Sequence, residues 1–194
     1  VRATSWGDKF AVSLYDANIV VVGGGGITEE FLKLAAPFRS KVTVVRKHVA
    51  PMTGAAAVVG FDELDAVLPT ADFVVLAAAL TPETTHLFDA RRIGLMKPEA
   101  YLVNIARGPM IVTEDLVDAL NAGTIAGAGV DVTDPEPLPD GHPLWTAKNI
   151  IITPHTADTK PMVLRMFAIR VRENVLAYRG EGPWVGIVDP DLGY

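Results

Sequence analysis

Four side chains able to do chemistry fall late in the sequence: Arg107, Asp131, Glu136 and His155. Histidine exchanges a proton near neutral pH. A guanidinium matches a carboxylate through two parallel hydrogen bonds. Each residue alone also has a bland reading. Arg107 could cap backbone carbonyls, and Asp131 could serve its local turn. Glu136 lies between prolines, where charge keeps a loop wet, and His155 could simply be solvated. Their positions favour the chemical reading. Each stands at or shortly beyond the end of an apolar run: residues 100–105 before Arg107, 124–130 before Asp131 and Glu136, and 149–152 before His155. If those runs are parallel strands, all four groups arrive at one sheet edge, the edge where ligands bind.

The elements that must position them begin with Asn18-Ile-Val-Val-Val-Gly-Gly-Gly-Gly-Ile-Thr-Glu-Glu-Phe-Leu32. The β-branched run reads as a buried strand. Four glycines follow, then a helical segment whose inward face is expected to hold Ile27, Phe31, Leu34 and Ala35. Strand, glycine turn and helix form the opening unit of a dinucleotide-binding fold, in which a pyrophosphate approaches bare backbone at a helix N-terminus. Gly23 and Gly25 fill the first two places of G-x-G-x-x-G, but Thr28 occupies the third. Gly26 offers no side chain to a phosphate, and Glu29 and Glu30 would repel one. Further strands are expected at 41–45, 72–77, 100–105, 124–130 and 149–152, with a short extended piece within 51–60. Helices are expected at 61–68 with Asp62 as cap, at 89–96, at 113–120 with Thr113 as N-cap, and at 161–178. Trp6, Phe10 and Leu14 recur at helical spacing. Strands that are continuously apolar and alternate with helices predict an α/β fold: a Rossmann-type, doubly wound parallel sheet with helices on both faces.

The chain has 194 residues, 49% of them hydrophobic, a formal net charge of -6 and no cysteine. It is long enough for one domain with a real core. Disulfides, thiolate catalysis and cysteine metal sites are excluded. The acidic balance argues against nucleic acid as a partner. No apolar run reaches bilayer length, so no membrane partner is expected and a cytoplasmic location is the default.

Three motifs carry a specific resemblance. Leu102-Val-Asn-Ile-Ala-Arg-Gly108, Val130-Asp-Val-Thr-Asp-Pro-Glu-Pro137 and Thr153-Pro-His155 resemble, in order and spacing, the signature of the D-isomer-specific 2-hydroxyacid dehydrogenases. The resemblance implies an oxidoreductase that moves a hydride between NAD(P)H and a 2-oxo acid or D-2-hydroxy acid. It implies that Arg107 binds the substrate carboxylate and keto oxygen. It makes His155 the general acid/base and Glu136 the residue that orients it and raises its pKa. Asp131 would hold the nicotinamide carboxamide. Leu80, Thr81 and Pro82 would wall the adenine pocket, and Ile105 joins Gly23, Gly25, Gly26 and Ile27 in the cofactor-binding set.

The family has a further half, built largely from about a hundred N-terminal residues, that is absent here. The expected organisation is a lead-in at 1–17, a dinucleotide-binding domain at 18–160, and a C-terminal helix and tail at 161–194. As a cofactor-domain fragment it is expected to be inactive alone and to pair as a homodimer. Two other readings stay open: a dinucleotide-sensing module like the C-terminal-binding-protein corepressors, and a remnant that binds no cofactor, favoured by Thr28, Glu29 and Glu30. In NAD-specific folds an acid ends the second strand. Here Arg46 and Lys47 stand instead, which favours NADP over NAD, because a guanidinium suits a 2′-phosphate.

Overall fold

Seven short segments take up the extended conformation that β-branched residues favour on a doubly buried surface. In the computed structural model, which describes residues 12–158 and 160–188, they are β1 (Asn18–Val22), β2 (Lys41–Val45), β3 (Ala57–Val59), β4 (Phe73–Leu76), β5 (Tyr101–Asn104), β6 (Gly127–Val130) and β7 (Ile150–Ile152). They form one sheet in the order β3-β2-β1-β4-β5-β6-β7, and every pairing is parallel. The chain winds outward from β1 to β3, then returns to start again at β4. The reversal between β1 and β4 opens a crevice at their C-terminal ends.

Alternate residues of β1 feed two cores. Ile19 and Val21 face a small one with Val42, Val44, Leu32 and Ala35. Val20 and Val22 face a larger one with Leu64, Leu76, Ile93, Leu102, Leu116 and Leu120. Helix α1 (Gly26–Ala35) therefore covers one face. Helices α2 (Leu64–Val67), α3 (Ala90–Ile93) and α4 (Thr113–Ala122) cover the other. The final helix, α5 (Lys160–Tyr178), buries only Ala177.

Several local expectations are corrected. On α1, Thr28, Leu32 and Ala35 are buried, whereas Ile27 is 59% and Leu34 73% exposed. The glycine turn, not the helix's own hydrophobicity, sets the phase at which α1 meets the sheet. Asp62 does not cap α2: Gly60 precedes a 3₁₀ turn at Phe61–Glu63, with no side-chain cap bond. Thr113 is the first residue of α4 rather than its cap, which is Val112. Trp6 and Phe10 lie outside the described residues, as does the tail beyond residue 188.

Candidate active site

Strand register levels the site. Val22 pairs with Val45 and Leu76, Leu76 with Asn104, Asn104 with Val130, and Val130 with Ile152. One step further, Gly23, Arg46, Ala77, Ile105, Asp131 and Thr153 stand in a row along the C-terminal edge.

At the crevice, Gly23 has φ +117 and donates its N–H to the Val45 carbonyl at 2.8 Å. A Cβ there would collide with the Ala77 carbonyl, so both conformation and space require glycine. A Cβ on Gly24 would come 2.7 Å from Arg46 Cδ, which places the Arg46 side chain across the turn. Gly25 and Gly26 face open space. α1 begins there with no side-chain cap, so its first N–H groups are available to an anion. Thr28, fully buried, donates its hydroxyl to the Gly23 carbonyl at 2.8 Å. It thus occupies the third glycine place as a brace of the turn. Glu30 pairs with Lys33 at 2.6 Å. Bare backbone, free donors and a clear approach fit a dinucleotide pyrophosphate.

Beside this cradle the 80–84 loop is closed by Thr84, whose Oγ1 accepts from the Thr81 N–H at 2.7 Å and donates to the Ala79 carbonyl at 2.8 Å. Leu80 is left 41% exposed. The Glu83 carboxyl is held below its usual range first by the Thr81 hydroxyl, with a smaller pull from Lys47.

At the other end of the row, His155 Nδ1 lies 2.6 Å from Glu136 Oε1. The carboxylate accepts a hydrogen bond from Nδ1–H, which leaves Nε2 for a ligand. The hydrogen bond and charge of Glu136 raise the His155 pKa above its ordinary value, against small opposing effects of burial and Arg107. Reciprocally, His155 holds Glu136 below the usual carboxylate range, helped by the Thr133 N–H and by Arg107. Arg107 is exposed and donates to the Ala106 carbonyl at 2.7 Å. The turn that carries it is tied by buried Asn104, whose Oδ1 accepts from the Ala106 N–H and whose Nδ2 donates to the Arg107 carbonyl, both at 3.0 Å. A Cβ on Gly108 would collide with the Thr133 carbonyl, so this turn rests directly on the loop that carries Glu136. Thr113 secures that loop by donating to the Asp134 carbonyl at 2.8 Å.

The structure therefore brings Arg107, Asp131, Glu136 and His155 to one edge, with Ile105 between them and the glycine turn. Asn104 and Thr28 have supporting roles that the sequence reading did not assign. A polar residue at the end of an apolar strand, or on the buried phase of a helix, is the signal that could have found them. Among the described residues, no cluster of metal-ligating side chains forms, and no helix is long and apolar enough to cross a membrane.

A dinucleotide cradle and a carboxylate-supported histidine on one edge of a doubly wound sheet define the class, and sequence comparison agrees. Residues 1–157 match the D-isomer specific 2-hydroxyacid dehydrogenase, NAD binding domain, and the chain belongs to this family. The glyoxylate reductase of Thermococcus gammatolerans is 37% identical over 171 residues, covering 88% of this chain and 51% of that protein. A D-isomer specific 2-hydroxyacid dehydrogenase from Xanthobacter autotrophicus Py2, solved with NADPH, is 31% identical and superposes with a TM-score of 0.87, covering 97% of this chain and 77% of that one. The NAD-complexed enzyme of Lactobacillus delbrueckii ssp. bulgaricus, 28% identical, superposes with a TM-score of 0.78, covering 93% of this chain and 58% of that one. This chain spans about half the length of the curated relatives it matches.

Proposed function

We propose that this chain is the cofactor-binding and proton-transferring part of an NADP(H)-dependent reductase that interconverts a 2-oxo acid and a D-2-hydroxy acid. The observation that carries the reading is the His155–Glu136 pair at 2.6 Å, on the same strand-end row as the open glycine cradle. When bound, the reduced nicotinamide supplies a hydride to the substrate carbonyl carbon. The protein does the rest. Arg107 takes the substrate carboxylate and keto oxygen. His155 Nε2 gives its proton to the developing alkoxide, and Glu136 keeps that proton in place near neutral pH. Gly23, Gly25, Gly26 and Ile27 would hold the pyrophosphate, with Leu80, Thr81 and Pro82 against the adenine. Ile105 and Asp131 would lie at the nicotinamide end. The reading without a cofactor loses its main support, because Thr28 braces the turn rather than spoiling it.

NADP(H) is favoured because Arg46 lies across the turn and no acid ends β2. The test is titration of the 194-residue chain with NADPH and NADH. NADPH should bind at least tenfold more tightly, about 1.4 kcal/mol, and Arg46→Asp should erase the preference. Equal affinities would reduce Arg46 to surface charge. Relatives named glyoxylate reductase make glyoxylate and hydroxypyruvate the first substrates to try. His155 and Glu136 keep 47% and 40% of their side-chain surface exposed, so this chain alone should show no measurable turnover in so wet a cleft. A homodimer is part of the same proposal: α5 exposes Leu164, Met166 and Phe167 by about 60%. A strictly monomeric sedimentation profile at high concentration would count against it. A cytoplasmic location completes the proposal and is open to fractionation.

A further inference from the structure

The histidine sits on a turn with little else to hold it. Residues 153–158 are exposed apart from their backbone ties, and α5 beyond them barely packs on the domain. His155 itself has φ +52, a conformation that costs energy for a non-glycine residue and persists only when the surroundings fix it. What fixes it is Asp131. Its carbonyl accepts the His155 N–H at 2.9 Å. Its buried carboxylate accepts the Thr153 hydroxyl at 2.5 Å, the Thr156 N–H at 3.0 Å and the Ala157 N–H at 2.8 Å. The turn is thus wrapped around one side chain. Backbone donors supply two of those carboxylate bonds and survive any substitution on the turn except proline; only Thr153 contributes a side chain.

We infer that Thr153 is a positioning residue: its hydroxyl on the Asp131 carboxylate locks the 153–157 turn and keeps the His155 ring on Glu136. The inference rests on the acid–base reading of His155 given above. Charged groups facing the imidazole are Glu136 and Arg107 from the neighbouring loops and Asp131 from the end of β6. Thr153 touches none of the reacting atoms, so its effect travels through the geometry of the turn. It also frees the Asp131 carboxylate from being only a cofactor contact: Oδ1 already holds two donors, and Oδ2 keeps one acceptor position open.

The experiment is a pH titration of the histidine imidazoles of the whole 194-residue chain by NMR, with His155 assigned through His155→Gln. Thr153→Val, which keeps the shape and removes the hydroxyl, should lower the His155 titration midpoint by about half a pH unit or more and lose the protected Nδ1 proton. Thr153→Ser should restore both. His48, His86 and His142 should titrate unchanged, which separates a local effect from misfolding. The inference is overturned if Thr153→Val titrates like the original chain, if Thr153→Ser behaves like Thr153→Val, or if all four histidines move together. Glu136→Gln distinguishes the two levels. If it moves His155 and Thr153→Val does not, the clasp fails alone. If neither moves it, the His155–Glu136 pairing fails as well.

Discussion

In the proposed reaction His155 donates a proton near neutral pH, and the Glu136 carboxylate beside it raises its pKa toward that range. Because the folded His155 pKa is raised, its stabilising contribution is full below the ordinary value and is lost as pH rises through the raised one. For Glu136 the sign is opposite: its pKa is lowered, so its contribution is present above the ordinary carboxylate value and is lost as pH falls through the folded one. The pair is therefore intact at least between the ordinary carboxylate value and the ordinary imidazole value. In a chain that carries the whole cleft, reduction should proceed while His155 is protonated and decline above its raised pKa. Glu136→Gln should move that alkaline limb to lower pH; an unmoved limb would detach Glu136 from the proton. His155→Ala should cost roughly 10²–10⁴-fold in kcat, the usual worth of general acid catalysis, and near-normal turnover would sink the assignment. Arg107→Ala should raise KM and lower kcat together, since in the proposed reaction it meets the substrate both before and during hydride transfer.

At the scale of elements, α1 makes the sharpest prediction. Leu32 is 3% exposed and Leu34 73%. Leu32→Ala should cost roughly 2–5 kcal/mol in a urea unfolding series, whereas Leu34→Ala should stay within about 0.5 kcal/mol. Equal losses would mean that the helix packs in another phase. The sequence pattern pointed to Leu34 because periodicity reports which residues could share a face, not which face the preceding turn delivers to the sheet. The same limit explains Asp62 and Thr113: both are good capping types, but the cap position is decided by where the preceding backbone enters. What was legible had a simpler cause. Arg107, Asp131, Glu136 and His155 follow strands, and parallel strands of similar length end together, so their meeting was readable without any packing detail. Thr28 and Asn104 were not, because their work is to satisfy the carbonyls and amides of turns whose shape only the folded chain defines.

Across the whole molecule, charge is used differently at the two edges of the sheet. At the N-terminal edge Asp72 accepts the Asn18 N–H at 2.8 Å and the Lys97 ammonium at 2.7 Å, tying the starts of β1 and β4 to the turn before β5. Burial opposes its ionisation, but Lys97 and Asn18 outweigh burial and hold its pKa below the usual range. Its contribution is present above the ordinary aspartate value, about 3.9, and is lost as pH falls through the lower folded one. Asp72→Ala should cost about 1 kcal/mol at neutral pH and flatten the acid limb of the stability profile, while cofactor affinity stays unchanged; an altered affinity would contradict the separation of the edges. That separation also leaves the two edges free to change independently. Loops at the N-terminal edge can lengthen without disturbing the chemistry, so a short glycine–serine insertion between exposed Pro98 and Glu99 should leave cofactor titration untouched, and the same insertion between Gly25 and Gly26 should abolish it. A lineage built on this sheet can thus exchange substrates at one rim while selection for folding acts on the other.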